Sequence, residues 1–382
     1  MTIPTIKLSG SPYDIGLEHG QAAKNQIKNN VKFYFKLWNY FSGTTKTDVI
    51  NDIKKFIPYI ERFDSSLLEE IEGIAAGSEM SFEEILALNS RWELNYAYTP
   101  STKTKAIFGG CTSYALMPSE TDNQHTYIGQ NWDYKATIKN GCVLLMISQE
   151  NKPDLIISTE AGIIGHKGFN SYGIGVCVNY LRTSEDRFSP GIPILLKVRK
   201  LLESKTLSQC INILTNFAGP NSANILLAHG DGEIIDVECM PDDNFFVYPD
   251  HGIITHANHF LSPIYPVKDV CKKIFPDSLI RQERALRLFK NCNGDIKIQD
   301  TQDVLKDHFG YPDSLCRHPD DSLNPYEQWE TITSIIIDLS DRKMLYTAGN
   351  PCMQPYKEIT LNKKGYDKQF SEIIETQKNA NF

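Results

Sequence analysis

The order of apolar and polar residues changes character after Lys105. In residues 13–38 the apolar residues recur at spacings of three and four, which predicts one long helix with a buried stripe. Residues 65–76 and the segment that begins at Ser81 have the same helical spacing. Ser81 and Glu84 also form the pattern of an N-terminal capping box. The first third of the chain is therefore predicted to be helical.

Beyond Lys105 the chain consists mainly of short apolar runs separated by turn-forming pairs such as Asn140-Gly141 and Asp231-Gly232. The runs are CTSYALM, HTYIGQNW, CVLLMIS, DLIIST, YGIGVCVN, ANILLAHG and EIIDVE. They predict meandering antiparallel strands, arranged in two layers. Helical spacing returns at 192–204, 277–291 and 301–309, and a closing hairpin is predicted at 330–340 and 342–349. Helices before, within and after the strands predict an α+β fold with helices packed outside two stacked sheets.

Composition narrows the class of protein. The 382 residues suit one large domain or two ordinary ones, and 41% hydrophobic with 23% charged residues is typical of a soluble globular protein. No apolar run approaches the ~20 residues of a membrane-spanning helix, and the first ten residues lack the basic-then-apolar order of a secretory signal. A net charge of -8 with scattered lysines argues against nucleic acid as a partner.

The cysteines indicate the compartment and argue against a metal. The chain has nine of them, an odd number, and no Cys-x-x-Cys pair. This argues against a disulfide framework and against a zinc knuckle. Most lie inside apolar strand-like runs, as Cys142 and Cys177 do, where a buried and inert thiol is usual. We therefore expect a cytoplasmic protein with no cofactor and no metal.

The break between the helical and the strand-rich parts is where chemistry is expected. The polar segment 98–105 leads into two glycines, Gly109 and Gly110, that directly precede Cys111 at the start of a strand. Glycines permit backbone angles and close approaches that other residues do not, so a strained peptide here could be attacked by the adjacent thiol. Cleavage would make Cys111 a chain start, where its own α-amino group can act as base toward its thiol.

Several segments of the chain resemble one enzyme family. The stretch GGCTSYALM followed by YIGQNWDY is similar to the acyl-CoA:6-aminopenicillanate acyltransferase (isopenicillin N acyltransferase) family, whose cysteine follows a self-cleaved glycine. LSGSPYDIGLEHG, EEILALNSRWEL, GFNSYGIGVCVNYL, THANHF and TAGNPC also resemble recurring segments of that family, in the same order. The chain more distantly resembles bile-salt hydrolases and penicillin V acylases. This resemblance implies a four-layer αββα N-terminal-nucleophile fold.

The resemblance also implies roles for individual residues. Cys111 matches the nucleophile, and Asp133 matches the aspartate that holds the nucleophile's amine. Asn258 matches the asparagine whose amide donates to the oxyanion of the tetrahedral intermediate. Asn179 matches a second asparagine at the oxyanion or the amine. Arg281 falls where the bile-salt relatives carry a site arginine, and Arg317 is a rival for that place.

Each candidate residue has an ordinary structural alternative. Cys111 could be a buried strand cysteine, Asp133 a turn residue after Trp132, and Asn258 a loop residue bonded to backbone. Arg281, Arg284 and Arg287 at intervals of three could simply form an exposed basic face of a helix.

The histidines suggest a chemical rival. His256 and His259 flank Asn258, so a papain-like site would use Cys111 as nucleophile, one of these histidines as base and Asn258 to orient it. Papain-like cysteines open a helix, whereas the residues after Cys111 read as a strand. The same histidines lack a third metal ligand at a suitable spacing, and His318 looks isolated beside Arg317, so structural roles are favoured.

The combined prediction is a single N-terminal-nucleophile domain that cuts itself into fragments 1–110 and 111–382, which stay associated. Acting through an acyl-Cys111 intermediate, it would hydrolyse small N-acyl amides or transfer acyl groups from amide or acyl-CoA donors. The alternative from another class is an unprocessed, non-catalytic ligand-binding protein with the same fold.

Overall fold

A computed structural model of the chain describes residues 2–98, 110–217, 219–241, 243–264 and 266–363. None of the helices in these ranges combines the length and the apolar character needed to cross a membrane. The helices are α1 Pro12–Ala22, α2 Lys24–Ser42, α3 Lys46–Ile53, α4 Ile57–Asp64, α5 Ser66–Ser78, α6 Phe82–Asn89, α7 Arg91–Tyr98, α8 Ile194–Leu202, α9 Leu207–Asn216, α10 Cys271–Ile274, α11 Asp277–Lys290 and α12 Ile298–Leu305.

The strands form two sheets. They are β1 Thr5–Ser9, β2 Cys111–Leu116, β3 Tyr127–Lys135, β4 Cys142–Ser148, β5 Leu155–Glu160, β6 Lys167–Asn170, β7 Ile174–Tyr180, β8 Ala223–His229, β9 Ile234–Cys239, β10 Asn244–Val247, β11 Ile253–His256, β12 Trp329–Asp338, β13 Lys343–Ala348 and β14 Lys357–Thr360. The eight-stranded sheet has the order β1-β4-β5-β6-β7-β8-β9-β10, and the six-stranded sheet has the order β11-β2-β3-β12-β13-β14. Every neighbouring pair is antiparallel except β1 with β4.

The two sheets pack face to face and helices cover their outer faces. Strands β2 and β3 contact β7 across the interface, where the Gln130 side chain donates to the Val178 carbonyl at 2.8 Å. Helices α8 and α9 pack on the eight-stranded sheet, and α11 and α12 pack on the six-stranded sheet. The predicted α+β fold with four αββα layers is therefore confirmed, and so are the strand-rich middle and the closing hairpin of β12 and β13.

The prediction for the start of the chain is wrong in two respects. The chain begins with a strand, β1, whose alternating burial involves only Ile6 and Leu8, too few apolar residues to stand out in the sequence. The single long helix is also two helices, because Ala23 has φ -114° and ψ 21°, outside the helical region. The apolar spacing continues across Ala23, since both helices bury side chains in the same core.

The helix predicted at 301–309 is shifted toward the N-terminus. Helix α12 begins at Ile298 and ends at Leu305, where the Lys306 N–H still bonds back to the helix. The chain then turns away, and the Cys316 N–H donates to the Asp307 carbonyl. Residues 306–318 consequently form an irregular segment that carries His308, Arg317 and His318.

Helices α1 and α5 pack unusually closely because glycines face each other. A Cβ added to Gly16 would lie 2.0 Å from the Glu70 carbonyl oxygen, and one added to Gly73 would lie 2.2 Å from the Tyr13 carbonyl oxygen. Real Cβ atoms do not approach backbone oxygen so closely, and backbone cannot move aside cheaply. The missing side chains therefore allow the two helices to touch through their backbones.

We predict that Gly73→Ala will destabilise the protein although alanine is the better helix former. In an exposed helix the change would stabilise by about 1 kcal/mol, but here the added methyl group must push the helices apart, which costs about 1–3 kcal/mol. The free energy of unfolding, measured by urea denaturation, should fall. Glu72→Ala, at the neighbouring exposed position, is the control and should change it little. A more stable Gly73→Ala protein would contradict the close packing.

Candidate active site

Cys111 is the first residue of β2 and is almost completely buried, with 4% of its surface exposed. It pairs with Trp132 on the neighbouring strand β3. The expectation that Cys111 opens a strand is confirmed. Gly110 lies within the described part of the chain, whereas Gly109 and the rest of the expected break, residues 99–109, lie outside it.

The peptide between Gly110 and Cys111 is held on both sides by hydrogen bonds. The carbonyl oxygen of Gly110 accepts from the backbone N–H of Asp133 at 2.8 Å. The N–H of Cys111 donates to the side-chain oxygen of Asn258 at 2.9 Å. The next carbonyl, that of Cys111, accepts from Nη1 of Arg281 at 2.7 Å. Three residues singled out from the sequence therefore surround this one peptide bond.

The side chain of Asp133 is fully buried beside Gly110. Its Oδ1 accepts from the Thr331 hydroxyl at 2.7 Å, and its Oδ2 lies 3.5 Å from Nε of Arg317. A Cβ on Gly110 would lie 3.1 Å from Oδ2, so only a residue without a side chain fits here comfortably. Burial raises the pKa of Asp133 to about 7, against the opposing effect of Arg317 and Arg281.

Asn258 lies two residues beyond the end of β11 and is held at several atoms. Its Nδ2 donates to the Tyr180 carbonyl at 3.0 Å, and its backbone N–H donates to the Ser278 hydroxyl at 2.7 Å. Its Oδ1 accepts from Arg281 at 2.9 Å as well as from Cys111. The two groups that contact Oδ1 are donors, and the group that contacts Nδ2 is an acceptor. This hydrogen-bond network therefore determines which end of the Asn258 amide is oxygen and which is nitrogen.

Asn179 lies near the site without a hydrogen bond to Cys111. Its Nδ2 donates to the carbonyls of His256 and Ala257 at 3.0 and 2.9 Å, and its Oδ1 accepts from Gln130. It therefore braces the segment that leads into Asn258.

Arg281 and Arg317 both reach the site, from opposite sides. Asp277 joins them, since its Oδ2 lies 2.8 Å from Nε of Arg281 and 2.5 Å from Nη2 of Arg317. Arg317 also pairs with Asp313. Arg281 is buried, 1% exposed, so it does not belong to an exposed basic face of α11; Arg284 does lie partly exposed on that helix and pairs with Asp307.

The thiol of Cys111 is strongly perturbed in the uncut chain. Burial raises its pKa to about 12, and the charge of Asp133 adds to the rise, whereas Lys167 opposes it. Lys167 is itself buried, which lowers its pKa to about 8, and its Nζ lies 3.0 Å from Nδ1 of His166. The thiol of the intact chain is therefore protonated at neutral pH, and a thiol is a much weaker nucleophile than a thiolate.

A narrow, mostly aromatic cavity adjoins the thiol, and its volume of about 20 Å³ has room for about one water molecule. The buried Arg91, which pairs with Glu160 at 2.7 Å, forms part of its wall. The lining residues are Arg91, Trp92, Asn95, Cys111, Trp132, Tyr134, His166, Val178 and Tyr180. Apart from Cys111, none of these was singled out from the sequence. Two buried cations near Cys111 could have been noticed in the sequence: Arg91 in the lining, and Lys167 next to the lining residue His166. Each is a positive charge within an otherwise apolar or strand-like segment.

The histidines do not form a papain-like pair with Cys111. Both ring nitrogens of His256 are occupied, Nε2 by Glu238 at 2.9 Å and Nδ1 by the Ala257 carbonyl at 3.0 Å. His259 bonds to the Ser278 hydroxyl through Nδ1 at 2.8 Å. In contrast, the interpretation of His318 as isolated is wrong, because its Nε2 lies 3.1 Å from Nε2 of His308.

The two stacked sheets between helical layers are a four-layer αββα N-terminal-nucleophile fold, with Cys111 at the start of an interior strand of the six-stranded sheet. The chain belongs to the acyl-coenzyme A:6-aminopenicillanic acid acyl-transferase family, whose model matches residues 119–352. That range includes Asp133, Asn179, Asn258 and Arg281 and begins after Cys111.

One relative and two solved structures extend the comparison. The chain is 28% identical over 348 residues to the 40 kDa form of acyl-coenzyme A:6-aminopenicillanic-acid-acyltransferase from Emericella nidulans, covering 91% of this chain and 92% of that protein. Penicillin V acylase from Agrobacterium tumefaciens matches with a TM-score of 0.47 and 13% identity, over 66% of this chain and 86% of that one. A mutant form of conjugated bile acid hydrolase from Clostridium perfringens matches with a TM-score of 0.43 and 13% identity, over 67% of this chain and 98% of that one.

We predict that Asp133 makes stability depend on pH between 3.8 and about 7, the ordinary and the folded-state pKa of its carboxyl. In this window the folded chain binds a proton that the unfolded chain has lost, so stability falls as pH rises. In a Cys111→Ala background, which prevents any cleavage by the thiol, Asp133→Asn should remove this part of the slope.

The measurement is urea unfolding at several pH values. Asparagine can still accept from Thr331 but loses the charge that faces Arg317, which shifts the free energy of unfolding at every pH, so only the change in slope is diagnostic. The exposed Asp295→Asn is the control and should keep the slope of the parent. An unchanged slope in Asp133→Asn would show that the carboxyl titrates normally.

Proposed function

We propose that the chain cuts itself between Gly110 and Cys111 and then acts as a cysteine amidohydrolase or acyltransferase on small N-acyl substrates. The observation that carries this proposal is the set of hydrogen bonds around the Gly110–Cys111 peptide. A donor on the carbonyl oxygen and an acceptor on the nitrogen hold that peptide directly beside the thiol. The carbonyl bond continues the ladder of β2 and β3, whereas the Cys111 nitrogen is bonded to a side chain, that of Asn258, and not to a neighbouring strand.

The proposed cleavage is an acyl shift from nitrogen to sulfur. The Cys111 thiol loses its proton and its sulfur attacks the carbonyl carbon of Gly110, so that the oxygen becomes an oxyanion. The N–H of Asp133 already donates to that oxygen and stabilises the charge. The nitrogen of Cys111 takes up a proton, the C–N bond breaks, and a thioester remains. Water then hydrolyses the thioester to a Gly110 carboxylate and a free thiol.

Asp133 is the proposed acid–base group for this shift. A pKa of about 7 means that near neutral pH its carboxyl is present in both protonation states, as a group that takes and returns a proton requires. Its Oδ2 accepts no hydrogen bond from the described part of the chain and faces Gly110. This atom is therefore available for the proton.

In the mature enzyme Cys111 would supply both nucleophile and base. Its new α-amine would remain bonded to Oδ1 of Asn258, which holds the same nitrogen in the uncut chain. The second hydrogen on Nδ2 of Asn258, besides the one given to Tyr180, is the proposed donor to the substrate oxyanion. Arg281 fixes Asn258 and the Cys111 carbonyl, and Asn179 braces the segment before Asn258.

Fragments 1–110 and 111–382 are proposed to stay together because their contacts are extensive. Strand β1 pairs with β4 over five residues, from Thr5 with Leu144 to Ser9 with Ser148. Buried side chains add specific links, such as the Tyr34 hydroxyl donating to Glu160 at 2.8 Å. Cutting one peptide bond leaves all of these contacts in place.

Two cavities support an N-acyl amide as the substrate. The aromatic cavity beside Cys111 has the apolar lining that an acyl group would require, but it holds only about one water molecule, so we expect its side chains to move when substrate binds. A second cavity of about 240 Å³ lies by Arg317 and is lined by four residues with carboxyl groups, Asp277, Asp313, Asp320 and Glu327. Asp277 and Asp313 pair with Arg317, so the remaining negative charge comes from Asp320 and Glu327. This charge favours an amine or cationic leaving group over the phosphates of coenzyme A.

We predict that Cys111→Ala will abolish the cut. Without the sulfur no acyl shift can occur, so the purified variant should remain one chain of 43.3 kDa, whereas the parent should give two fragments. Intact-mass spectrometry makes the measurement and locates the cut. Cys142→Ala, which removes another buried free thiol, is the matched control and should be cut like the parent.

Two outcomes would contradict this proposal. If Cys111→Ala still gives two fragments, another protease makes the cut. If the parent remains a single chain that hydrolyses no N-acyl amine, N-acyl amino acid or acyl-CoA, the chain is a ligand-binding protein that keeps the fold.

We predict that substitutions of Asn258 will separate its two roles. Asn258→Asp keeps an acceptor for the Cys111 nitrogen but loses the Nδ2 donor, so it should still be cut while kcat falls on the order of 100- to 1,000-fold. Asn258→Ala loses both groups and should also be cut more slowly. KM should change little, because the donor acts on charge that develops in the transition state.

The substrate for this test comes from the same screen of N-acyl amines, N-acyl amino acids and acyl-CoA with amine acceptors. Each variant is compared with the parent after equal processing has been confirmed by mass. A rise in KM alone, or a kcat equal to that of the parent in Asn258→Asp, would show that the Nδ2 group is not an oxyanion donor.

A further inference from the structure

Four side chains of metal-binding type converge at one place outside the site described above. They are His308, Cys316, His318 and Cys352, and one ligand atom from each lies within 4.8 Å of the other three. Three come from the irregular segment 306–318, and Cys352 comes from the turn after β13. Cys316 is buried, whereas His308 and Cys352 are exposed, so an ion could enter from solvent.

Four of the six distances between these atoms are close to the edges of a tetrahedral site, and the two from His308 to the sulfurs are within 4.8 Å. Metal–sulfur bonds of about 2.3 Å and metal–nitrogen bonds of about 2.0–2.1 Å give tetrahedral edges of about 3.8 Å between sulfurs, about 3.6 Å between sulfur and nitrogen and about 3.3 Å between nitrogens. The two sulfurs are 3.5 Å apart and the two Nε2 atoms are 3.1 Å apart. The Nε2 of His318 lies 3.6 Å from the sulfur of Cys316 and 3.4 Å from that of Cys352.

We propose that His308, Cys316, His318 and Cys352 bind a zinc ion. Two thiolates and two imidazoles in a tetrahedron are the ligand set and geometry that favour zinc over magnesium, calcium or manganese. Binding releases the two thiol protons to solvent and needs no change of oxidation state. All four positions are taken by protein atoms, so no place remains for a reacting water, and the ion has a structural role.

A disulfide between Cys316 and Cys352 explains the arrangement of the four side chains less well than a zinc ion does. Both cysteines are free, and their sulfurs are farther apart than the about 2.05 Å of a disulfide bond. A disulfide also leaves the two histidine rings with their Nε2 atoms directed at each other and at the sulfurs. One zinc ion accounts for all four groups at once.

The surroundings support the sulfur ligands. The side-chain amide of Asn350 donates toward the sulfur of Cys316 at 3.7 Å and to the carbonyl of Arg317 at 2.6 Å. Donors of this kind around a thiolate orient it and stabilise its charge. The same amide ties the turn that carries Cys352 to the segment that carries the other three ligands.

The ion would fix Arg317 at the active site. Arg317 stands between two of the ligands in sequence, and its guanidinium contacts Asp133 and Asp277. With Cys316 and His318 both anchored, the backbone of Arg317 has little freedom to move. Arg317 is thus a positioning residue for Asp133, and the zinc ion holds it in place.

The test measures the metal content of the full chain purified without chelator and under reducing conditions. We expect about one zinc per chain, as a single four-ligand site requires. Cys352→Ser and His308→Gln alter exposed ligands and should each lower the zinc content at least tenfold. Cys292→Ser and His251→Gln, which change a cysteine and a histidine outside the cluster, are the matched controls and should keep the ion.

Cobalt gives a second readout that does not depend on activity. After exchange of zinc for cobalt(II), the parent should show the visible absorption of a tetrahedral site and a sulfur-to-cobalt charge-transfer band, both lost in Cys352→Ser. The proposal is overturned if reduced parent supplied with zinc and then desalted binds less than about a tenth of an equivalent per chain. It is also overturned if the ligand variants keep the zinc content of the controls.

The metal measurement is independent of the proposed self-cleavage. It is repeated on Cys111→Ala, which keeps all four ligands and should bind zinc whether or not the chain is cut. Loss of zinc binding in the parent would leave the cleavage proposal standing, and an uncut parent that binds zinc would leave the metal site standing.

Discussion

The arrangement around Cys111 depends on Asp277, the first residue of α11, which pairs with two buried arginines at once. A buried guanidinium without a partner is costly, so this carboxylate determines where Arg281 and Arg317 can lie. Arg281 then fixes Asn258 and the backbone of Cys111, while Arg317 fixes the side chain of Asp133. Both arginines that the sequence offered as alternatives therefore lie beside Cys111, each with its own contacts.

Much of the fold and part of the candidate site could be predicted from the sequence. The strands were recognisable because buried sheets need continuous apolar runs, and the position of Cys111 at a strand start followed from the residues after it. The end of α1 at Ala23 could not be recognised in the sequence, because the apolar spacing of α1 continues into α2. Strand β1 has only Ile6 and Leu8 to bury, and its place beside β4 depends on a contact more than a hundred residues away.

The sequence predicted which side chains would meet at the site only where they lie in a recognisable motif. Asp133, Asn258 and Arg281 could be proposed from recognisable segments, whereas the hydrogen-bond partners of Asn179 depend on the three-dimensional path of the chain between β7 and β11. The same holds for the four residues proposed to bind zinc. They lie at irregular spacings in two loops and include no Cys-x-x-Cys pair, so the sequence pattern of a zinc knuckle did not mark them.

Through strand β1, the first part of the chain covers a sheet edge whether or not the chain is cleaved. It covers one edge of the eight-stranded sheet, and β4 behind it has the apolar sequence CVLLMIS. A polypeptide made of residues 111–382 alone would present β4 as an open edge, and apolar edges of this kind recruit strands from other molecules. Residues 1–110 would then protect residues 111–382 from aggregation as well as completing their core, and separate synthesis of the two parts would remove that protection.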